Sequence, residues 1–164
     1  ALTYDPEAIK VVAGAQLPVV LMHHLGTPQT MQKDPHYNDP LIEVFDWLAA
    51  RIAACEAAGI ARANILVDPG IGFGKAMAHN LALLNGLSLF HALGVPVMLG
   101  ASRKRMIGAL SNEATADKRL GGSLAMAMRG IEQGAQILRV HDVPESVQAV
   151  HVWRGLRDAA LVSG

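Results

Sequence analysis

Asp68, Lys104, Arg139 and His141 are the residues whose types and settings point to chemistry. Each lies at or just past the end of a short apolar run. Asp68 opens Asp68-Pro69-Gly70-Ile71-Gly72-Phe73-Gly74-Lys75, Lys104 closes Ser102-Arg103-Lys104, and the other two belong to Arg139-Val140-His141-Asp142. Another run ends in Met22-His23-His24. A carboxylate, a lysine, an arginine and an imidazole on one mouth suit an aromatic heterocycle that carries a phosphate or pyrophosphate. The carboxylate matches two parallel N–H groups on the guanidine-like edge of an aminopyrimidine. It would repel a phosphate, and the glycines behind it lack Walker spacing, so that loop is not a phosphate cradle. Arg139 is a permanent cation with several donors, and His141, two residues on in an extended chain, faces the same side. Ser102 precedes a short helix, where its hydroxyl and the helix start favour a carboxylate.

These residues need elements that bring them together. Apolar runs at 17–22, 65–67, 95–99 and 135–140 read as strands, and each is followed by a helical pattern. Helices are expected at 5–15, 40–58, 79–93, 104–110, 118–133 and 144–161, with a loop at 26–38. In the 40–58 stretch Leu41, Val44, Phe45, Leu48, Ile52 and Cys55 recur at three- and four-residue steps, and Gly59 is placed to end it as a left-handed cap. Strand–helix alternation predicts an α/β fold in which parallel strands point their C-terminal ends at one face, as in a TIM (β/α)8 barrel. A full barrel takes eight strands and typically ~250 residues. Residues 1–164 are therefore read as one domain, a partial barrel supplying about strands five to eight. Such a unit leaves two parallel edges open.

Composition narrows the function classes. The chain is 51% hydrophobic and 17% charged with zero net charge, which excludes a disordered chain and argues against a nucleic-acid binder. No apolar run approaches the ~20 residues of a membrane span, and no leader pattern opens the sequence. The single cysteine, Cys55, lies in a helical stretch and reads as a small buried hydrophobe, so a reducing, cytoplasmic setting is expected.

The motifs carry a family resemblance over nearly the whole chain. Leu21-Met22-His23, Gly26-Thr27-Pro28-Gln29-Thr30-Met31-Gln32, the Asp68–Lys75 run, Gly100-Ala101-Ser102-Arg103-Lys104, Gly122-Ser123-Leu124-Ala125 and Arg139-Val140-His141-Asp142-Val143 occur in the order found in the dihydropteroate synthases. The chain resembles that folate-pathway family of (β/α)8 enzymes. The resemblance implies condensation of p-aminobenzoate with a 6-hydroxymethyl-7,8-dihydropterin pyrophosphate, with magnesium as cofactor and release of pyrophosphate. Carried over residue by residue, it implies that Asp68 accepts hydrogen bonds from the pterin's amino group and ring N–H. It puts Lys104 at the pterin's polar edge near the incoming amine, and Phe73 and Met22 along the pocket. Arg139 and His141 would hold the departing pyrophosphate, and Ser102 would stand near the p-aminobenzoate carboxylate. It also implies a homodimer through the last helices and sensitivity to sulfonamide mimics. The family's magnesium ligand, an asparagine on strand one, has its place before Ala1, so no metal ligand is assigned here.

Plainer readings exist for each residue. Asp68 would cap the glycine turn, Arg103 and Lys104 would form a solvated helix start, and Arg139 would pair with Asp142. Adjacent strand residues face opposite sides, so His23 and His24 do not form a metal pair. Two other functions fit a related fold. A pterin-binding methyltransferase would not need the Ser102–Lys104 and Arg139–His141 groups, since no pyrophosphate leaves. A non-catalytic barrel homologue would not need Asp68, Lys104, Arg139 and His141 together.

Overall fold

A computed structural model describes residues 1–26 and 35–162. Most of the loop expected at 26–38, with part of the Gly26–Gln32 motif, lies outside the described residues. The chain alternates helix and strand: α1 (Ala8–Ala15), β1 (Val19–Met22), α2 (Pro40–Ala57), β2 (Ile65–Asp68), α3 (Met77–Asn85), β3 (Met98–Leu99), α4 (Arg105–Leu110), α5 (Leu120–Glu132), β4 (Ile137–Leu138) and α6 (Val143–Val162). β1 pairs parallel with β2, in a register running from Val19 opposite Ile65 to Met22 opposite Asp68. β3 pairs parallel with β4, and a parallel bridge between Val67 and Val97 joins the two pairs. The strands therefore lie side by side in chain order, and their C-terminal ends point the same way. This is the α/β arrangement expected from the sequence.

Local chemistry sets the ends of α2. Asp39 accepts the backbone N–H groups of Leu41 and Ile42 at 2.9 and 3.2 Å, and Pro40 occupies the first turn, where its missing N–H costs nothing. Glu43 reaches back to the N–H of Asn38 and Asp39, which makes the cap reciprocal. Gly59 follows at φ 90°, the left-handed conformation that favours glycine.

The apolar stripe of α2, with Val44, Leu48, Ile52 and Cys55, packs against Leu21, Ile65 and Val67 of the sheet. Leu83, Leu87, Phe90 and Leu99 continue the same core. Cys55 is fully buried, and burial pushes its thiol pKa up, in keeping with a packing role.

The structure departs from the sequence expectation in its element lengths. The expected 79–93 helix is broken: α3 ends at Asn85, and a 3-10 turn runs over Leu87–Leu93. Gly86 caps α3 at φ −103° and ψ 19°, off the helical conformation, and packs against the Leu41 side chain of α2. Three-residue apolar spacing serves both helix types, which is why the periodicity ran across the break. The strands expected at 95–99 and 135–140 shrink to two ladder residues each, because the flanking residues turn into the loops that carry the polar tips. The 5–15 helix begins at Ala8, after a turn in which Asp5 accepts the N–H of Glu7. Among the described residues no helix is long and apolar enough to cross a membrane.

Candidate active site

The C-terminal tips of the strands carry the site. Asp68, the last residue of β2, is 3% exposed. Its Oδ1 accepts the N–H of Gly70 at 2.7 Å, so the turn-capping role is real for one oxygen. Its Oδ2 lies 3.5 Å from where a Cβ on Gly100 would stand, on the side of β3 and β4. Burial raises the Asp68 pKa, while the Gly70 N–H and the charges of Lys104, Arg139 and Lys75 pull it down.

The glycine-rich loop behind Asp68 is held from several sides. Gly70 has φ 71°, and a Cβ there would lie 1.8 Å from the carbonyl oxygen of His23, so the loop touches the backbone after β1. Gly72 N–H donates to Asn80 Oδ1 at 2.7 Å, and Tyr37 donates to the Gly74 carbonyl at 2.9 Å. The loop presents Phe73, and the Lys104 ammonium sits 3.8 Å from the centroid of that ring. Burial lowers the Lys104 pKa, with Asp68 opposing and Arg139 adding to the shift.

Lys104 divides the mouth. On one side a cavity of about 390 Å³ is lined by Gly100, Ser102, Arg103, Lys104, Arg139 and His141. On the other, a cavity of about 400 Å³ includes Gly72, Lys75, Asn80, Lys104 and Arg105. A further cavity of about 420 Å³ lies between β4 and α6, lined by Val143, Val147 and Val150 together with Arg139, His151 and Arg154.

The sequence placed Ser102 near a carboxylate at a helix start. Within the protein, its hydroxyl meets His141. Ser102 Oγ lies 3.0 Å from His141 Nδ1 and accepts the His141 N–H at 3.3 Å, so it shares the cavity of Arg139 and His141. α4 begins only at Arg105, which puts Lys104 rather than Ser102 at the capping position.

The plainer reading of Arg139, a pair with Asp142, gives way to another partner for Asp142. Asp142 binds the Arg103 guanidinium through both oxygens, one contact measuring 3.1 Å, and the partnership lowers the Asp142 pKa. Arg103 sits at φ 55° with its N–H on Ser123 Oγ and its carbonyl on Arg119 Nη1. Arg103 is thus a strut rather than a solvated helix start, and Arg139 stays exposed at the cavity.

Met22 ends β1, half-buried beside Asp68 in the register. His23 is buried and His24 Nδ1 lies 2.9 Å from the Gly26 carbonyl oxygen, with both rings near Trp47 at 5.0 and 6.4 Å between centroids. Among the described residues no group of three or more His, Cys, Asp or Glu side chains could hold a metal ion.

Sequence reasoning gave no role to Lys75, Asn80, Tyr37 or Arg119, each of which ties a site loop in place. The only advance sign was Lys75 itself, closing the glycine run.

The profile of the family described as pterin binding enzyme matches residues 1–141. The chain belongs to that family.

Within the family it is 49% identical to the dihydropteroate synthase of Escherichia coli K12 over 148 residues, which are 90% of this chain and 52% of that protein. The chain thus spans about half the length of this relative. Among solved structures it resembles the Yersinia pestis dihydropteroate synthase with a sulfonamide drug complex, with a TM-score of 0.92 and 44% identity over 95% of this chain and 57% of that one. It also resembles the Xanthomonas albilineans dihydropteroate synthase in complex with 7,8-dihydropteroate, with a TM-score of 0.87 and 43% identity over 94% of this chain and 56% of that one. At these identities the likeness extends to sequence as well as backbone. The pterin-binding family is the setting in which the Asp68 mouth is to be understood.

Proposed function

We propose that this chain serves dihydropteroate synthesis: p-aminobenzoate joins 6-hydroxymethyl-7,8-dihydropterin pyrophosphate, and pyrophosphate leaves. In this reading residues 1–164 are one domain, strands five to eight of a (β/α)8 barrel with their helices. The observation that carries it is the juxtaposition of a buried carboxylate, Asp68, with a cavity shared by Lys104, Arg139 and His141. A carboxylate suits the amino and ring N–H edge of a pterin, and cations suit the anion that departs. Kinship with a synthase solved in complex with 7,8-dihydropteroate supports the same substrates here.

The roles follow from position. Asp68 accepts from the pterin's N–H edge, while Phe73 and Met22 line the ring pocket. Lys104 bonds the pterin's polar edge near the attacking amine. As the methylene C–O bond breaks, its electrons pass to the pyrophosphate oxygen, and Arg139 and His141 stabilise that developing charge. The neutral amine of p-aminobenzoate attacks the same carbon, forms the C–N bond and then loses a proton, so no strong base is needed beforehand. Ser102 orients His141 through its hydroxyl. Ser102 also stands near the p-aminobenzoate carboxylate, in the cavity it shares with Arg103 and Lys104. Magnesium is proposed for the whole enzyme only. The described residues offer it no cluster, and no step above passes through it.

A cytoplasmic homodimer that binds sulfonamide mimics completes the reading. Val152 and Leu156 on α6 are exposed and give the dimer an apolar face. Pyrophosphate release with both substrates and magnesium, lost in Asp68→Asn, tests the assignment. Turnover that survives Asp68→Asn would sink it.

A further inference from the structure

A buried amine stands against the Asp68 loop, with no carboxylate in contact among the described residues. Lys75 is 3% exposed. Its Nζ lies 2.8 Å from His23 Nδ1 and donates to the Phe73 carbonyl at 3.0 Å. It would also stand 3.4 Å from a Cβ on Gly70, the residue whose N–H caps Asp68. Among the described residues no ion pair includes it. Burying an ammonium without a counter-ion in contact is costly, and an apolar residue of similar volume would fill the space at lower cost. The surroundings of Lys75 suggest a purpose, because each of its contacts bears on a residue of the pterin mouth. His23 N–H donates to the Asp68 carbonyl at 3.0 Å, and Phe73 is the ring under Lys104.

We propose that Lys75 is a positioning residue. With His23 it fixes the Gly70–Phe73 turn and adds to the positive charge of Lys104 and Arg139 that favours Asp68 as a carboxylate for the pterin. This rests on the reading of Asp68 as the pterin acceptor.

The neighbouring charges agree with this role. Burial lowers the Lys75 pKa to about 7, with Asp68 opposing the shift and Lys104 adding to it. Burial first, and Lys75 next, take His23 down to about 3, so its ring stays neutral and its Nδ1 accepts from the ammonium. The groups facing this cluster are His24 and the Ala1 amine toward His23, Asp68 at the end of β2, Lys104 ahead of α4 and Arg139 past β4. The aromatic rings of Tyr37 and Trp47 flank the His23 ring.

The test is calorimetric titration of 6-hydroxymethylpterin into the whole chain between about pH 6 and about pH 8.5. Wild-type affinity should be highest at the acid end and fall as Lys75 deprotonates. Lys75→Met should bind about tenfold more weakly at about pH 6 and show no inflection near neutrality, while inorganic pyrophosphate affinity stays unchanged. A Lys75→Met profile matching wild type would overturn the proposal. A loss shared equally by pterin and pyrophosphate, meaning general damage to the fold, would overturn it too.

Should that variant fail to fold, the Lys75 side-chain carbon signals of the wild-type chain decide by NMR. By linkage, saturating pterin must raise the titration midpoint of Lys75 if its charge aids binding, and an unmoved midpoint refutes the role. Undiminished pterin binding by Asp68→Asn would refute the parent reading instead. Wild type that binds no pterin would refute both.

Discussion

The ammonium of Lys104 stands 3.8 Å over the centroid of the Phe73 ring, joining the loop after β3 to the glycine-rich loop after β2. A partly buried cation over an aromatic face gains roughly 0.5–2 kcal/mol. Phe73→Leu keeps the apolar bulk and removes the π face. Pterin affinity should fall about three- to tenfold, and the melting temperature should fall by no more than about 10 °C. Calorimetry beside thermal melting checks this, and unchanged affinity would remove the ring from the site.

Asp68→Asn retains an oxygen to cap Gly70 but loses the charge aimed at the pterin. Removing one partner of a buried charged hydrogen bond costs roughly 2–5 kcal/mol, so pterin affinity should drop at least about 30-fold. Affinity for p-aminobenzoate should hardly change. Equal losses for both ligands would contradict the role given to Asp68.

Arg139→Ala should weaken inorganic pyrophosphate binding about 10- to 100-fold, as loss of a charge-assisted contact does. Ser102→Ala should weaken it only a few-fold, because it frees His141 from its hydroxyl anchor but leaves the imidazole and the Arg139 charge in place. A larger effect from Ser102→Ala than from Arg139→Ala would reverse the assignment.

Gly70→Ala places a methyl carbon 1.8 Å from the His23 carbonyl oxygen at a φ of 71°, so backbone must move. It should cost about 3 kcal/mol or more and lower the melting temperature sharply. Gly14→Ala is the contrast. It lies within α1 with nothing within 4 Å, and it should stabilise by about 0.5–1 kcal/mol.

The pH dependence of stability has a definite sign. His23 titrates at about 3 when folded and at 6.5 when free, so between those values the unfolded chain holds more protons and stability falls as the solution is acidified. Lys75 titrates at about 7 when folded and at 10.5 when free, so stability also rises with pH across that interval. Urea melts of His23→Gln should lose much of the acid slope, and those of Lys75→Met the alkaline one. Slopes matching wild type in both would contradict the buried His23–Lys75 contact.

Much of the site was legible in the chain itself. Apolar runs of strand length followed by polar tips determined that Asp68, Lys104, Arg139 and His141 would share one face, since parallel strands put their C-terminal ends together. Asp39 and Pro40 determined where α2 begins, and Gly59 where it stops, because caps act within a few residues.

Tertiary structure alone decided who partners whom. It gave Asp142 to Arg103 rather than Arg139, tied Ser102 to His141, packed Gly86 against Leu41 where the 79–93 helix breaks, and buried Lys75 on His23. Periodicity and capping report on neighbours within a turn or two of chain. Contacts across 39 or 52 residues depend on strand order and loop path, which no local pattern encodes.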